Sequence, residues 1–393
     1  MLKKIRIRSF KSILNQEVSL GMMNVFIGAN GSGKSNFLEA IGVLSAAAAG
    51  RVDDEALQRR GIRVGTPRLY QSAFEEKIPS HLFFEAKTDT AKYAVSLNNS
   101  LENPKPAWQY QTEELVCNQE TIVNRGPHRE IKNKEQGLAA LKLVESDENS
   151  AVALLMNRLR NFAVYTPNTP ILPGIMPDQQ TREPVGLSGG RLAEALKELQ
   201  SLVSKNEFIE EAFDDIRSLI DWINDFDTTS NVNTLLSSSI ARPKNVIRFS
   251  DRFMKGRNHH LTAYDASEGA LYILFSAVLT LSPNSPYCVA IDNLDQTLNP
   301  RLSLNLARLL CQWITEGSDQ RQIFFTVHNP AVLDGLALQD DRIRLFTVDR
   351  NNLGHTEINR VTITEEIVAL SHQKGWPLSR LWVMGHLGGV PNV

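Results

Sequence analysis

The chain has 393 residues, of which 42% are hydrophobic and 22% are charged, and its net charge is −2. These values are ordinary for a globular protein, and the length exceeds that of one average domain. A net charge so close to zero requires neither nucleic acid nor a membrane surface as the partner.

The sequence shows no targeting or membrane-spanning segment. The opening "MLKKIRIRSF" alternates cations with apolar side chains and lacks the apolar core of a signal peptide. The longest apolar run, residues 270–281, is too short to span a bilayer and predicts a buried helix. Cys117, Cys288 and Cys311 lie far apart without metal-ligand spacing, so we predict buried, reduced thiols. Together these features favour a cytoplasmic protein with no membrane partner.

The N-terminal part, residues 1–125, predicts strands around one helix. Ile5 and Ile7 alternate with cations, and "NVFIG" at residues 24–28 reads as a short apolar strand. The segment "NFLEAIGVLSAAAAG" places apolar side chains on one helical stripe before a glycine. Aromatic and β-branched segments between about residues 63 and 125 indicate further strands.

The middle part, residues 126–240, changes to a mostly helical pattern interrupted by a proline-rich loop, and it contains no long heptad series. "RLAEALKELQSLVSKNEFIEEAFDDIRSLIDWINDF" predicts two helices. In residues 241–393 strands alternate with helices, beginning with "NVIRFS", which implies a parallel sheet covered by helices. The sequence therefore predicts an α/β fold whose two halves, 1–125 and 241–393, flank a largely helical insertion.

A phosphate-binding loop is predicted at "GANGSGKS", residues 28–35, which fits the G-x-x-x-x-G-K-[ST] pattern between a strand and a helix. Glycines let successive backbone N–H groups point at phosphate oxygens, and the helix N-terminus adds positive potential. Lys34 would reach the β- and γ-phosphates of ATP, and the Ser35 hydroxyl would help to hold Mg²⁺. A dinucleotide-binding fingerprint is the weaker alternative, because Asn36 stands where a third glycine is needed.

Two further candidates follow apolar strands. Asp292 ends "CVAID" and predicts a second Mg²⁺ ligand, although an aspartate there could instead cap a turn. His328 ends "FFTVH" and could sense a γ-phosphate or position water, although a lone histidine is more often structural.

The order of these motifs resembles that of RecF/SMC-type ABC ATPases. "GANGSGKSN", "DASEGALYILFSAVL", "AIDNLDQTLNP" and "TVHNPAVLD" are similar to the Walker A, signature, Walker B with D-loop, and switch-histidine segments of that class. The opening "IRIRSFKSI" and the ending "LWVMGHLGG" are similar to stand-alone bacterial predicted ATPases related to overcoming-lysogenisation-defect nucleases and anti-phage systems. The resemblance implies a P-loop ABC-type ATPase head with a mixed sheet, an N-terminal antiparallel portion and no long coiled coil.

The resemblance also implies a head-to-tail dimer, or a higher oligomer, that clamps two ATP molecules. Ser267 and Gly269 of one copy would then contact the nucleotide held by the other, and Asp295 would lie at the dimer seam. Lys11 and Ser12 fall where the first strand approaches the nucleotide. The residues that the resemblance assigns to the phosphate loop are Asn30, Gly31, Ser32, Gly33, Lys34, Ser35 and Asn36.

A second signature-like sequence, "LSGG" at residues 187–190, lies far upstream of Asp292. In the ABC class the signature opens a helix shortly before the Walker B strand, a condition that Ser267 meets. We therefore interpret "LSGG" as a glycine-containing turn before a helix.

Asn293 stands where the class usually has a glutamate that activates water. An amide can orient water but is not a base, and loss of a general base typically costs about 100- to 10,000-fold in rate. His328 and Asp295 are the neighbours that could compensate. The prediction is an ATPase that binds Mg-ATP and hydrolyses it slowly or not at all.

The sequence leaves two classes of binding partner possible, an effector protein and duplex DNA. A nucleotide-gated switch for an effector such as a nuclease, in anti-phage defence, fits the lack of nuclease motifs in the sequence. The alternative is a DNA-repair or chromosome-maintenance ATPase that binds duplex DNA, for which the basic residues between 241 and 260 and Lys3, Lys4, Arg6 and Arg8 are the candidates. A transporter ATPase is disfavoured by the middle part and by the position of "LSGG".

Overall fold

The computed structural model describes residues 1–74, 79–126, 133–143, 147, 150–231, 235–237, 239–240, 243–255, 260–318 and 320–389. Its strands are β1 Lys4–Phe10, β2 Ile13–Ser19, β3 Met23–Ile27, β4 Leu82–Lys87, β5 Ala91–Asn98, β6 Gln109–Cys117, β7 Glu120–Arg125, β8 Val164–Tyr165, β9 Ile223–Thr229, β10 Val246–Asp251, β11 His260–Thr262, β12 Cys288–Ile291, β13 Gln322–Val327, β14 Ile343–Arg350 and β15 Thr356–Val361. Its helices are α1 Lys34–Ala48, α2 Asp54–Gln58, α3 Leu138–Lys142, α4 Ala151–Arg160, α5 Leu192–Gln200, α6 Glu207–Leu219, α7 Glu268–Leu281, α8 Pro300–Glu316, α9 Glu365–Lys374 and α10 Leu378–Val383.

Two six-stranded sheets form the framework, as the predicted mixed α/β fold requires. The N-terminal sheet is antiparallel, in the order β2-β1-β4-β5-β6-β7. The core sheet has the order β15-β14-β3-β13-β12-β8 and is parallel except for β15. Among the described residues the longest helix is α8, with 17 residues, so this part of the chain holds no long coiled-coil arm.

The core sheet is buried on both faces, which explains its apolar strands. On β3, Val25 and Ile27 face a core built with α5 to α8, whereas Phe26 faces a second core built with α1, α4 and the N-terminal sheet. The apolar run predicted as a buried helix forms α7, and every residue of α7 after Glu268 is buried. None of the helices formed by the described residues has the length and apolar character needed to cross a membrane.

One expectation for the C-terminal half was wrong. "NVIRFS" does form a strand, β10, but it lies in a separate antiparallel sheet of order β11-β10-β9 rather than in the parallel sheet. Its partner β9 is the end of the segment predicted as helical. There Ile223 and Phe226 are buried while Asn224 and Asp225 are exposed, and an ion pair between Arg248 and Asp227 joins the strands. Cross-strand pairing decided the structure of this segment.

The middle part contributes directly to the framework. β8 pairs with β12, and the backbone N–H of Asp292 donates to the carbonyl of Tyr165 at 2.9 Å. Helices α5 and α6 pack in the same core as α7 and α8. The boundaries at residues 125 and 240 remain predictions, but the segment between them supplies an edge strand beside β12, the strand that Asp292 follows.

The cysteines differ in environment, which corrects the expectation of three buried thiols. Cys117 is partly exposed at the end of β6, whereas Cys288 and Cys311 are buried. Burial raises the pKa of the Cys288 thiol to about 12 and that of Cys311 to about 11.

We therefore expect only Cys117 to react quickly with an alkylating reagent at pH 8 in the native protein, because the thiolate is the reactive form. Mass spectrometry of tryptic peptides after brief labelling measures this selectivity. In urea all three cysteines should be modified, and comparable native labelling of Cys288 or Cys311 would contradict the burial described here.

Candidate functional site

The loop between β3 and α1 can only be built with glycine at two positions. Gly33 has a φ of 112°, and a Cβ placed on it would lie 2.1 Å from Thr356 Oγ1. A Cβ on Gly28 would lie 2.1 Å from the carbonyl oxygen of Val348. The backbone therefore curls closely against β14 and β15 and leads into the N-terminus of α1, where the first N–H groups have no partner within the helix and can face an anion.

A cavity of about 340 Å³ lies over this loop. It brings the predicted phosphate-loop residues together with Asn293 and His328, and it adds two arginines that sequence analysis did not identify. The lining residues are Asn30, Gly31, Ser32, Gly33, Lys34, Ser35, Asn36, Arg63, Asn293, His328 and Arg350.

Lys34 points into the loop. Its Nζ donates to the carbonyl oxygens of Gly28 at 2.7 Å and Ala29 at 3.0 Å, and it lies 3.5 Å from His328 Nδ1. The residue is only 5% exposed. Burial lowers the pKa of the Lys34 ammonium to about 8, against the opposing effect of the Asp292 and Asp295 carboxylates. A polyphosphate in the cavity would favour the charged ammonium.

This pKa predicts that the affinity for Mg-ATP falls as the pH rises. Bound phosphates raise the pKa of the Lys34 ammonium. Above about pH 8, where Lys34 of the nucleotide-free chain has lost its proton, ATP binding must therefore take up a proton. We expect about tenfold weaker binding at pH 9 than at pH 7. Isothermal titration calorimetry at constant ionic strength measures this, and an unchanged affinity across that range would contradict it.

Ser35 and Asp292 meet at the other side of the loop. Ser35 Oγ donates to the two Asp292 carboxylate oxygens at 3.2 and 3.0 Å, and Thr326 Oγ1 also donates to this carboxylate. A hydroxyl and a carboxylate are the hard oxygen donors that Mg²⁺ prefers. Neighbouring ligands of an octahedral Mg²⁺ lie about 3 Å apart, so this pair fits the ion.

Asn293 and His328 form a hydrogen-bonded pair at the rim of the cavity. Because Lys34 can only donate, His328 Nδ1 is assigned as an acceptor, and the proton on Nε2 donates to Asn293 Oδ1 at 3.0 Å. Partial burial and the Lys34 charge lower the pKa of His328, which keeps the ring neutral. Asn293 has a φ of 59°, a left-handed conformation that asparagine tolerates well. Its carbonyl oxygen accepts from the histidine, and its amide nitrogen is a donor that can orient water but cannot take up a proton.

Asp295 lies behind this pair and is 5% exposed. Its Oδ2 accepts from the backbone N–H of His328 at 2.9 Å and also from that of Asn329. This geometry holds the histidine backbone in place. A role of Asp295 in catalysis or at a dimer seam stays a prediction.

The structure does not bring Ser267 and Gly269 to this cavity. Ser267 is exposed and caps α7, its Oγ accepting from the N–H of Ala270 at 3.4 Å. Gly269 is buried against Leu298. Within one chain, Ser267 and Gly269 therefore do not contact a nucleotide on the phosphate loop. Their contact with the nucleotide of a second copy stays a prediction.

Lys11 and Ser12 connect the N-terminal sheet to the loop. Lys11 Nζ pairs with the buried carboxylate of Glu39 on α1, which also pairs with Arg63 at 2.6 Å. Ser12 Oγ accepts from Asn36 Nδ2 at 2.7 Å and lies 2.7 Å from Thr356 Oγ1. These bonds fix α1 against the β1–β2 turn.

Arg63 and Arg350 are the cavity residues that sequence reasoning missed. Arg63 follows α2 in an irregular segment, where nothing in the sequence marks it. Arg350 ends β14, next to β3, and its Nε donates to the carbonyl of Gly31 at 3.0 Å. A cation at the carboxyl end of a strand was the available signal for Arg350, but the pairing of that strand with β3 is not visible in the sequence.

The "LSGG" segment forms a turn, as interpreted from the sequence. The N–H groups of Ser188 and Gly190 donate to the Asp178 carboxylate at 2.9 and 3.3 Å. These donors are thus already engaged by an anion of the same chain, and α5 follows directly.

Comparison with protein families identifies the group. A family model described as "AAA domain, putative AbiEii toxin, Type IV TA system" matches residues 23–140 and 181–334, more than half of the chain. The chain belongs to this family, AAA_21. No curated protein sequence matches this AAA_21 chain.

Solved structures similar to the AAA_21 chain include SMC heads. The SMC head domain from Thermotoga maritima is 15% identical, with a TM-score of 0.43, and the match covers 92% of this chain and 99% of that one. An Smc head with an extended coiled coil, bound to the C-terminal domain of ScpA derived from Pyrococcus furiosus, is 11% identical with a TM-score of 0.50, covering 95% and 99%. A third, an SmcHead bound to the C-winged helix domain of ScpA, is 11% identical with a TM-score of 0.49, covering 92% and 98%. The Pyrococcus furiosus comparison, with its TM-score of 0.50, shows that the AAA_21 chain has the fold of an SMC head, and the family model describes an AAA domain.

Proposed function

We propose that the chain binds Mg-ATP on the phosphate loop and pairs head to tail with a second copy, whose Ser267 turn completes the site. The observation that supports this best is the arrangement of the loop: Lys34 lies in the cradle, and Ser35 lies beside Asp292. Ser267 is exposed at the N-terminus of α7, away from that cavity, so a second copy can reach it.

Hydrolysis in this assembly is slow or absent. Bound Mg²⁺, held by Ser35 and Asp292, would neutralise phosphate charge. The chain's own groups orient water rather than deprotonate it, because Asn293 presents an amide and the Nε2 proton of His328 already donates to Asn293. A long-lived ATP-bound state suits a switch better than a motor.

A cytoplasmic effector protein, such as a nuclease of an anti-phage system, is the proposed partner of the switch. The family description names the AbiEii toxin and a type IV toxin–antitoxin system. Two of the similar heads are described as bound to domains of ScpA, another protein. In the part of the chain that the structure describes, no group of three or more His, Cys, Asp and Glu side chains could hold a metal ion. The nuclease activity of such a system is assigned to the partner as part of this proposal.

Direct binding of duplex DNA is the second candidate, and the ion pairs of the chain favour it less. Lys4 pairs with Glu17 at 2.8 Å, and Arg248 pairs with Asp227. Two cations of the basic segment, Arg242 and Arg257, lie outside the described residues. ATP-dependent retardation of duplex DNA in a gel at physiological salt would support this alternative.

ATP-dependent pairing is the prediction that tests the proposal. Light scattering of the purified protein with Mg-ATP should show twice the mass of the nucleotide-free chain. Ser267→Arg should abolish the doubling, because it blocks the turn that faces the partner's phosphates, while ATP binding to the single chain persists at reduced affinity.

Ser267→Thr is the matched control, since it keeps both the hydroxyl and the helix cap. Thermal melting should show that Ser267→Arg lowers stability only by the loss of that cap, about 1 kcal/mol. A chain that binds Mg-ATP but keeps its nucleotide-free mass would overturn the dimer proposal.

A further inference from the structure

A second cavity of about 450 Å³ adjoins the cavity over the phosphate loop. Asn36, Arg63 and Arg350 line both cavities. Its volume is within the range of about 300–1,000 Å³ typical of small-molecule pockets. A triphosphate on the loop would therefore have room for its sugar and base on this side.

One wall of the second cavity presents an aromatic ring. Phe74 is 44% exposed although it is a large apolar side chain. The Arg350 guanidinium lies 5.2 Å from the centre of its ring, and the His355 ring meets it edge-on at 5.8 Å. Nucleic acid bases stack on aromatic faces and arginine planes of this kind, whatever their identity.

Gln71 supplies a polar group to the same cavity. The residue is only 6% exposed, and its Oε1 is buried with no hydrogen-bond partner in the part of the chain that the structure describes. Its backbone is held firmly: Gln71 bridges to Phe10, and the neighbouring Tyr70 carbonyl accepts from the N–H of Lys11 at 2.8 Å. Buried polar atoms are rarely left unpaired, and a rotation of the Gln71 amide toward the cavity would give this oxygen a ligand as its partner.

We propose that the Gln71 amide hydrogen-bonds the N6 and N7 edge of the base and makes the site selective for adenine. This inference rests on the proposed function, because it takes a nucleoside triphosphate to be the ligand of the phosphate loop. Adenine presents a donor at N6 beside an acceptor at N7, and a glutamine amide matches the two with its oxygen and nitrogen. Guanine presents two acceptors there, O6 and N7. Whichever way the amide is turned, its oxygen then faces one of these acceptors and cannot form a hydrogen bond with it.

The test compares ligands that differ only at the base. Mg²⁺ complexes of ATP, GTP, 7-deaza-ATP and inorganic tripolyphosphate are titrated calorimetrically into the wild-type chain. We expect ATP to bind about tenfold more tightly than GTP and about fivefold more tightly than 7-deaza-ATP, which lacks the N7 acceptor. Equal affinities for ATP and 7-deaza-ATP, or for ATP and GTP, would overturn the inference without any variant.

Gln71→Met keeps the size of the side chain and removes both polar atoms. This variant should bind ATP about tenfold more weakly than the wild-type chain, and its affinities for ATP, GTP and 7-deaza-ATP should be similar. Its affinity for tripolyphosphate should not change. Gln71→Lys should shift the preference toward GTP, since lysine donates to O6 and N7. Gln312→Met, on the exposed face of α8, is the matched glutamine control and should change no affinity.

The outcomes separate this inference from the proposed function. A wild-type chain that binds neither ATP nor tripolyphosphate defeats the proposed function. If ATP binds but Gln71→Met changes the affinities for ATP and GTP by the same factor, the phosphate-site assignment is retained and the proposed recognition of the base by Gln71 is wrong.

Discussion

Lys34→Met is expected to bind Mg-ATP about 150- to 25,000-fold more weakly than the wild-type chain. The ammonium lies in the phosphate cradle and would exchange the Gly28 and Ala29 carbonyls for phosphate oxygens. A hydrogen bond to a charged group contributes about 1.5–3 kcal/mol, so the loss of two gives this range. Equilibrium titration with a fluorescent ATP analogue measures the change.

The fold of the Lys34→Met chain should not suffer. Burial lowers the pKa of Lys34, which means that the folded chain disfavours the charged ammonium relative to the unfolded one. An isosteric apolar side chain should leave the melting temperature unchanged or raise it. Lys92→Met, which breaks only a surface ion pair with Glu114, is the control and should retain ATP binding. Near-normal ATP affinity in Lys34→Met would refute the phosphate-loop assignment.

Asn293→Asp and Asn293→Glu should raise the rate of ATP hydrolysis about 100- to 10,000-fold, the usual contribution of a general base. A carboxylate can keep one oxygen on the Nε2 proton of His328 and use the other to take a proton from water. The wild-type chain should turn over far below the median of about 10 s⁻¹ for enzymes. Phosphate release at saturating Mg-ATP measures both rates.

The two acidic variants differ in the conformational strain that the backbone at position 293 imposes. The φ of 59° at position 293 suits asparagine and aspartate better than glutamate, so Asn293→Asp should fold with less strain, whereas Asn293→Glu reaches further toward the water. Asn293→Ala is the control that removes the amide without adding a base, and it should not gain activity. Fast hydrolysis by the wild-type chain, lost on Lys34→Met, would show that another group is the base.

The local motifs could be predicted because neighbouring residues along the chain determine them. The phosphate loop needs only its glycines, Lys34 and the strand and helix on either side. Asp292 and His328 each directly follow an apolar strand, and the carboxyl ends of parallel strands meet at one edge of a sheet. The position of both residues beside the phosphate loop therefore followed from the strands that precede them.

The remaining features depend on contacts between distant segments. β9 reads as helical in sequence and becomes a strand only because β10 pairs with it. Arg350 enters the site because β14 pairs with β3, more than 300 residues earlier in the chain. The candidate role of Gln71 depends on its burial beside a cavity, which is visible only in the folded structure. No spacing rule in one sequence encodes these three outcomes.

The position of β14 limits how far the protein can be shortened. The family match ends at residue 334, before β14, yet β14 forms one whole flank of β3 and stacks Phe346 on Phe26 at 4.9 Å. A minimal fragment cut at that boundary would expose the backbone of a central strand to solvent and to pairing with other chains. It would also lose Arg350 and Thr356, which hold the carbonyls of Gly31 and Ser32. Truncation experiments should therefore keep residues 343–361, although they lie beyond the part by which the family is recognised.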